Sequence, residues 1–385
     1  MQRKPLKFNN GKFKILLFGD LHESYDMSGE NAAAKSEDAS NLMSKALDEL
    51  KPDMVILLGD NARADSEMQM RSVISRIVYP ISLRDIPMDL VFGNHDRECN
   101  VTLEEQIKLY NENENCYLRD DDPTITGTGN HYLTIKSSDG KRDVLNLWFL
   151  DSNNLVEGSQ NYNLTVTDYD CVHKDQIEWY KKTAQKLAED NGGKVIPAFL
   201  FQHIPVQEEY ELLREAKPYE ILDSVKGHGI FSDKYYVLKP EVEGYLGEGP
   251  CTPDENSGEF AAWKEIGDVM GAFFGHDHMN DFAGFVDGIL LAQSKTAGFR
   301  PYTDGCRAGV RLITVDENDV ENFTTQMYHF KEFGLKSKSL GPVQRNITDR
   351  QDMKLKIAGA AMGTAALVTA AAVTSKKLKN RKTGK

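Results

Sequence analysis

Through its first hundred residues the chain repeats one order: a short aliphatic and aromatic run, a glycine, a polar residue, then a stretch with helical spacing. The runs are Phe13–Phe18, Met54–Leu58 and Met88–Phe92. Between them Leu42, Ala46, Leu47 and Leu50 recur at a helical period and predict a helix over Ser36–Leu50. Met70, Val73, Ile74 and Ile77 predict another over Met68–Val78. Strands joined by such helices lie parallel, and an open parallel sheet offers its ligand site at the carboxyl ends of its strands. The polar residue after each glycine falls at such an end.

Farther along, His131–Ile135 and Val144–Leu150 flank an Asp139-Gly140 turn and read as a hairpin, and Lys174–Ala188 reads as a helix. Val195–Phe201 and Gly271–Phe274 are short buried strands that each deliver histidine, as Gln202-His203 and as Gly275-His276-Asp277-His278. Gly288–Ala292 and Val310–Val315 complete the strands. Pro205–Pro253 is rich in Glu, Tyr and Gly with weak periodicity, which predicts loops and short helices over a site, where substrate choice would be set. The main domain is therefore expected over residues 1–334, followed by a polar linker over 335–356. Ile357–Ser375 is an uncharged stretch bracketed by lysines, with eight alanines and a Gly359/Gly363 spacing. It reads either as a membrane anchor or as an Ala-rich surface helix, with a basic tail over 376–385.

At 385 residues, 40% hydrophobic and 27% charged, the chain is globular rather than a disordered polymer or a multispanning membrane protein. Its net charge is −13 although the tail from Ser375 onward carries six basic residues and no acid, so the body is more negative still. That balance disfavours nucleic acid as a partner and leaves small phosphorylated molecules or a phosphoprotein open. Five widely spaced cysteines without a CxxC pair, and a start without a secretion-type segment, point to the cytoplasm. Membrane association would come only through residues 357–375.

The polar residues at the strand ends form one constellation: Asp20 with His22, Asp60, Asn94 with His95 and Asp96, His203, and His276 with His278. Imidazole, carboxylate and carboxamide oxygen are donors suited to Mn, Fe or Zn. Two ions need about seven such ligands with one shared, and Asp60, alone after its strand, suits the bridge. Taken singly each cluster has a plain reading, since Gly-Asp is commonly a turn and a lone histidine commonly a core residue. The joint pattern carries the inference. Arg63, Arg97 and Arg300 offer guanidinium forks for a phosphate, or are solvated surface arginines. Asp277 is placed to support a neighbouring imidazole, and His131, His173, His228 and His329 fall outside every cluster.

The strings GDLH, GDN, GNHD, QH and GHDH resemble the motif series of the calcineurin-like metallophosphoesterases over about Phe13 to Val315. Through LWFLDSN, QIEWY, FQHIPVQEE and FFGHDHMNDF the chain looks most like the intracellular phosphohydrolases related to purple acid phosphatases. Purple acid phosphatases themselves carry a tyrosinate iron ligand where this chain has Arg63, so no iron-tyrosinate colour is expected. The resemblance implies an α/β fold of two sheets in a sandwich flanked by helices. It implies one metal on Asp20, His22, Asp60 and His278 and a second on Asp60, Asn94, His203 and His276. A hydroxide between the ions would attack phosphorus and His95 would protonate the leaving oxygen, with Asp96 expected to hold the His95 ring in preference to its alternative role of capping a helix. The expected function is phosphomonoester hydrolysis. The alternatives are a phosphodiesterase acting on a nucleotide or lipid head group, and a non-catalytic scaffold with or without metal.

Overall fold

The computed structural model describes residues 3, 5–156 and 167–346, and beyond them 353, 354, 356, 357 and 359. The chain opens with β1 (Lys12–Phe18), a two-residue strand β2 (Glu23–Ser24), α1 (Ala32–Leu50), β3 (Met54–Leu58), another short strand β4 (Ala62–Arg63), α2 (Glu67–Ser82), β5 (Met88–Val91) and α3 (Leu103–Tyr110). β1, β3 and β5 are parallel neighbours, as the βαβ pattern requires. α1, α2 and α3 bury their apolar stripes on the outer face of these strands, where Leu42, Met43, Leu47, Val73, Ile77 and Leu109 meet Leu16, Phe18, Val55, Leu57 and Leu90. α3 starts on a reciprocal cap, in which Glu105 N–H donates to Thr102 Oγ1 at 3.3 Å and Thr102 N–H to the Glu105 carboxylate at 2.9 Å.

The second half builds the facing sheet. The hairpin β6 (His131–Lys136) and β7 (Asp143–Phe149) is followed by α4 (Lys174–Asp190) and β8 (Ala198–Phe201). A small sheet of β9 (Leu213–Glu215), β10 (Val225–Lys226) and β11 (Tyr235–Leu238) comes next, then α5 (Glu259–Ile266) and β12 (Val269–Phe274). β13 (Ala283–Val286) and β14 (Ile289–Gln293) complete that six-stranded sheet, ordered β13-β14-β12-β8-β7-β6. The chain then returns to the first sheet through β15 (Gly309–Asp316) and β16 (Asp319–His329), giving it the order β16-β15-β1-β3-β5, and ends its described elements with α6 (Pro342–Asn346).

The two sheets face each other across a core of Ile15, Leu17, Ile56, Leu58, Phe149, Phe199, Phe201, Phe273 and Ile313. Strands covered on both faces read as unbroken apolar runs, which is why β3, β8 and β14 are buried at every position. Inside the sandwich Phe149, Phe201 and Phe273 stack successively at centroid distances of 5.5 and 5.6 Å. On the far side α4 and α5 cover Trp148, Leu200 and Phe274 with Tyr180 and Trp263. The result is helices, sheet, sheet, helices, the α/β sandwich expected from the resemblance.

Several elements depart from the pattern-based reading. β16 alternates half-exposed and exposed positions on an outer edge, so it carries no apolar run to announce it. Pro205–Pro253 contains the three-stranded sheet as well as short 3₁₀ turns. The chain after residue 334 is seated on α1: the buried Asp38 carboxylate accepts from Ser337 Oγ at 2.6 Å, Ser339 N–H at 2.9 Å and Lys338 N–H at 2.9 Å. The possible anchor over 357–375 lies almost wholly outside the described residues. Among the described residues no helix is long and apolar enough to cross a membrane.

Candidate metal centre

Five parallel strands end at one edge of the sandwich, β1, β3 and β5 from one sheet and β8 and β12 from the other. Their following loops carry Asp20 and His22, Asp60, Asn94, His203, and His276 and His278. Asp20, His22, Asp60 and His276 sit in the left-handed backbone region at φ 51°, 45°, 51° and 71°. Such backbone costs roughly 1–3 kcal/mol per residue and persists only where neighbours hold it. Here the loops hold one another: Asp20 N–H donates to Gly59 O at 3.2 Å, His22 N–H to Asp60 O at 2.8 Å, and His276 N–H to Asp20 Oδ1 at 3.1 Å. Gly93 is needed because a Cβ there would lie 2.2 Å from Asp60 Oδ1, and Gly59, at φ 91°, would put one 2.4 Å from His203 Nδ1.

The donor atoms converge on Asp60. Its Oδ2 is 3.4 Å from His22 Nε2 and 3.3 Å from His203 Nε2. His278 Nε2 lies 3.5 Å from Asp20 Oδ1 and 3.3 Å from His22 Nε2, and the ligand atoms of Asp20, His22, Asp60 and His278 all lie within 4.8 Å of one another. Beyond Asp60, His203 Nε2 is 3.2 Å from Asn94 Oδ1, and the His203 and His276 rings are 5.1 Å apart between centroids. Outer contacts aim the rings inward: His203 Nδ1–H donates to Leu58 O at 2.7 Å and His278 Nδ1–H to Tyr302 O at 3.0 Å. The Tyr302 ring also stacks on His278 at 4.2 Å, and the Tyr169 ring meets His276 edge-on at 4.6 Å. Both tyrosines lie outside the sequence motifs. Asp277 accepts from Cys251 N–H and Asn280 Nδ2 at 3.2 and 3.1 Å, so it pins its loop and not an imidazole.

The electrostatics fit a cation. Burial pushes His22 down to about 4 and His278 to about 3, and holds His276 well below the ordinary range, leaving neutral rings with free lone pairs. Burial also opposes charge on His203, but the adjacent Asp60 carboxylate outweighs it and lifts that ring to about 10. Asp60 itself is held well below the carboxylate range, because the charges of His203 and His22 overcome its burial. Burial raises Asp20, whose Oδ2 is interior and meets no hydrogen-bond donor. Three neutral imidazoles and a fourth that shares its proton with an ionised carboxylate, with a bare carboxylate oxygen beside them, are a donor set in which a cation can take the place of that proton.

His95 stands at the exposed rim, its ring 5.2 Å from that of His22. Asp96 does not hold it. Its carboxylate accepts from Asn61, Ala62 and Gly93 N–H at 2.9, 3.0 and 2.8 Å, tying the Gly-Asp loop to the Gly-Asn-His-Asp loop, so the expected part in orienting His95 gives way to capping. The carboxylate on His95 Nδ1 is that of Glu98, at 2.8 Å. Sequence reasoning passed over Glu98; its spacing of three along the turn Asn94–Arg97 was the available signal. His22, Asp60 and His95 line one end of a groove of about 780 Å³ that continues past Tyr25, Met27, Ala62, Arg63 and Ala64. Of the three arginines, Arg63 is exposed on this groove with Nη1 3.9 Å from Glu98. Arg97 is paired with Asp151. Arg300 is in the groove wall, its guanidinium on Ser36 Oγ, Asp26 O and Glu23.

The sequence profile described as "Calcineurin-like phosphoesterase" matches residues 13–280. Among curated proteins, the Arabidopsis thaliana "Probable inactive purple acid phosphatase 29" is 28% identical over 82% of this chain and 80% of its own length. The Saccharomyces cerevisiae "Phosphatase DCR2" is 26% identical over 71% of this chain and 45% of its own length. Among solved structures, that of a dimetal phosphatase from Danio rerio aligns with a TM-score of 0.49 at 13% identity, covering 82% of this chain and 99% of that one.

Proposed function

Because the chain belongs to the calcineurin-like phosphoesterase family, whose profile spans most of its length, and is thereby a metal-dependent phosphoric ester hydrolase, we propose that it is a phosphomonoesterase with two metal ions. One ion is held by Asp20, His22, Asp60 and His278 and the other by Asp60, Asn94, His203 and His276, with Asp60 shared. The donors suit Mn, Fe or Zn. When bound, such ions draw charge off phosphoryl oxygens and lower the pKa of a coordinated water. The chain's own residues do the rest. The loops that pin Asp20, Asp60 and His276 keep the donors preorganised, and the groove beside His95 takes the alcohol part of the ester. His95 delivers a proton to the leaving oxygen, and Arg63 meets the charge of the incoming substrate.

The observation that carries this reading is the gathering of six donors from both sheets around the buried Asp60 carboxylate, with a histidine of the same motif series at the open edge. Three Arabidopsis thaliana relatives bear the word "inactive" in their names, which favours a scaffold as the second reading. Against it stands the presence here of every expected donor and of His95. The test is metal content of the purified protein, together with turnover of a phosphomonoester and a phosphodiester after loading with Mn, Fe or Zn. About two ions per chain and faster monoester cleavage are expected. Faster diester cleavage would replace the monoester reading, and no turnover with any metal would leave the scaffold.

A further inference from the structure

Resting on the phosphoesterase reading, we infer that this site is built for esters of aliphatic alcohols, and that Glu98 is the positioning residue that makes it so. An aryl or anhydride leaving group departs as a stable anion, whereas an alkoxide does not, so cleaving an alkyl ester requires a proton placed on the bridging oxygen as the bond breaks. A ring that gives that proton from one nitrogen must be held by the other. His95 is held in this way, with Nδ1 2.8 Å from Glu98 Oε2 and the ring on the groove.

The contact is built into the backbone. Glu98 N–H donates to His95 O at 3.1 Å, closing the turn so that the two side chains lie on one side of it. Asp96 is unavailable, its carboxylate being committed to the amides of Asn61, Ala62 and Gly93. The same Glu98 oxygen is 3.9 Å from Arg63 Nη1, a second positive group beside it. Tyr25, Met27, Ala62 and Ala64 along the groove give a leaving group with a carbon skeleton apolar surface to lie on.

In the reaction, the P–O bond to the alcohol breaks with its electron pair on that oxygen, which takes the Nε2 proton of His95. Water supplies the new P–O bond and the proton that restores the ring, and the products are the free alcohol and inorganic phosphate. Glu98 touches neither the ester nor the attacking water and acts only through His95.

The experiment compares wild-type and Glu98→Gln proteins carrying the same metal on monoesters running from p-nitrophenyl phosphate to phosphoserine and glycerol phosphate. ¹⁵N NMR of the histidine rings in the metal-free proteins is recorded alongside. We expect kcat/KM of the variant to fall on the order of 10²-fold for the alkyl esters and about tenfold less for the aryl ester, with the His95 Nδ1 resonance displaced. An equal fall for every ester, or an unmoved His95 resonance, would overturn the inference and leave the phosphoesterase reading standing. No turnover of any ester by the wild type with Mn, Fe or Zn would instead remove that reading, and the inference with it.

Discussion

Asp60 and Glu98 are both carboxylates that meet a histidine of the same site, yet one is shut inside the sandwich and the other stands exposed beside His95. Asp60 lies on the floor, where five strand ends from two sheets abut and loops in left-handed backbone brace one another. There burial and the charges it encloses set protonation together, burial holding His22 near 4 and His278 near 3 while the neighbouring imidazoles keep Asp60 ionised against its own desolvation. Glu98 lies on the wall, with a side chain 44% exposed, where solvent screens every pair. On the proposed reading, a substitution on the floor should change whether metal binds, and one on the wall which ester is cleaved and how fast.

Asp60→Asn attacks the floor at its centre and has the largest expected effect. Losing the shared anionic oxygen should cost both ions, and turnover should drop on the order of 10³-fold or more, the equivalent of several kcal/mol of transition-state stabilisation. Elemental analysis by mass spectrometry reads the ions directly. A variant that keeps two ions would mean that Asp60 is not their bridge.

His95→Ala attacks the wall and should separate the two regions cleanly. The ions stay at wild-type content, while turnover of an alkyl phosphate falls by about 10²–10⁴-fold, the usual span for losing a general acid. Loss of metal alongside activity would place His95 on the floor and collapse the distinction.

The line between what the sequence reveals and what it hides follows the same division. The floor donors were legible because ligand types close buried apolar runs, after glycine at Asp20, Asp60, Asn94 and His276 and after Gln202 at His203, a recurrence with no packing explanation. Glu98 was not, since in sequence Asp96 is the nearer carboxylate to His95, and only the fold shows that it is spent on three backbone amides. Arg300 was equally opaque, because its partners Ser36, Asp26 and Glu23 come from a distant loop and helix. In the scaffold the βαβ units and the hairpin were readable from period alone, while β16 lacked any buried face to show itself.

Burial acts in the interior away from metal as well, and Glu209 isolates that effect. Fully buried, with Gln293 Nε2 donating to it at 3.0 Å, its carboxyl is pushed up to about 8 by burial, which the amide and the Arg311 charge only partly offset. The folded chain thus keeps a proton that the unfolded chain releases above about 4.5. Stability from this group is present in full below that pH and is lost as pH rises toward about 8. Glu209→Gln removes the dependence. Between pH 5 and 8 its urea midpoint should gain on the wild type by the equivalent of roughly 1–4 kcal/mol. A constant gap across that range would refute the assignment.

The smallest effect is expected at Arg63, where the contrast between floor and wall can be tested with little else disturbed. Its guanidinium is 62% exposed and its nearest carboxylate oxygen, on Glu98, is 3.9 Å away, so the pair should contribute no more than about 1 kcal/mol. Arg63→Ala should therefore leave the thermal midpoint within a degree or two and the metal content unchanged. What remains is its charge at the mouth of the groove, where a dianionic monoester must enter past the exposed Asp26 and Asp65. Removing that charge should raise KM several-fold, more at low ionic strength than at high, because an attraction exerted through water is screened over about 10 Å at 0.1 M salt. A KM that rises equally at both ionic strengths would point to a direct, desolvated contact with phosphate. A fall in the thermal midpoint with KM unchanged would make Arg63 part of the scaffold, and the wall would then begin farther from the metal than His95.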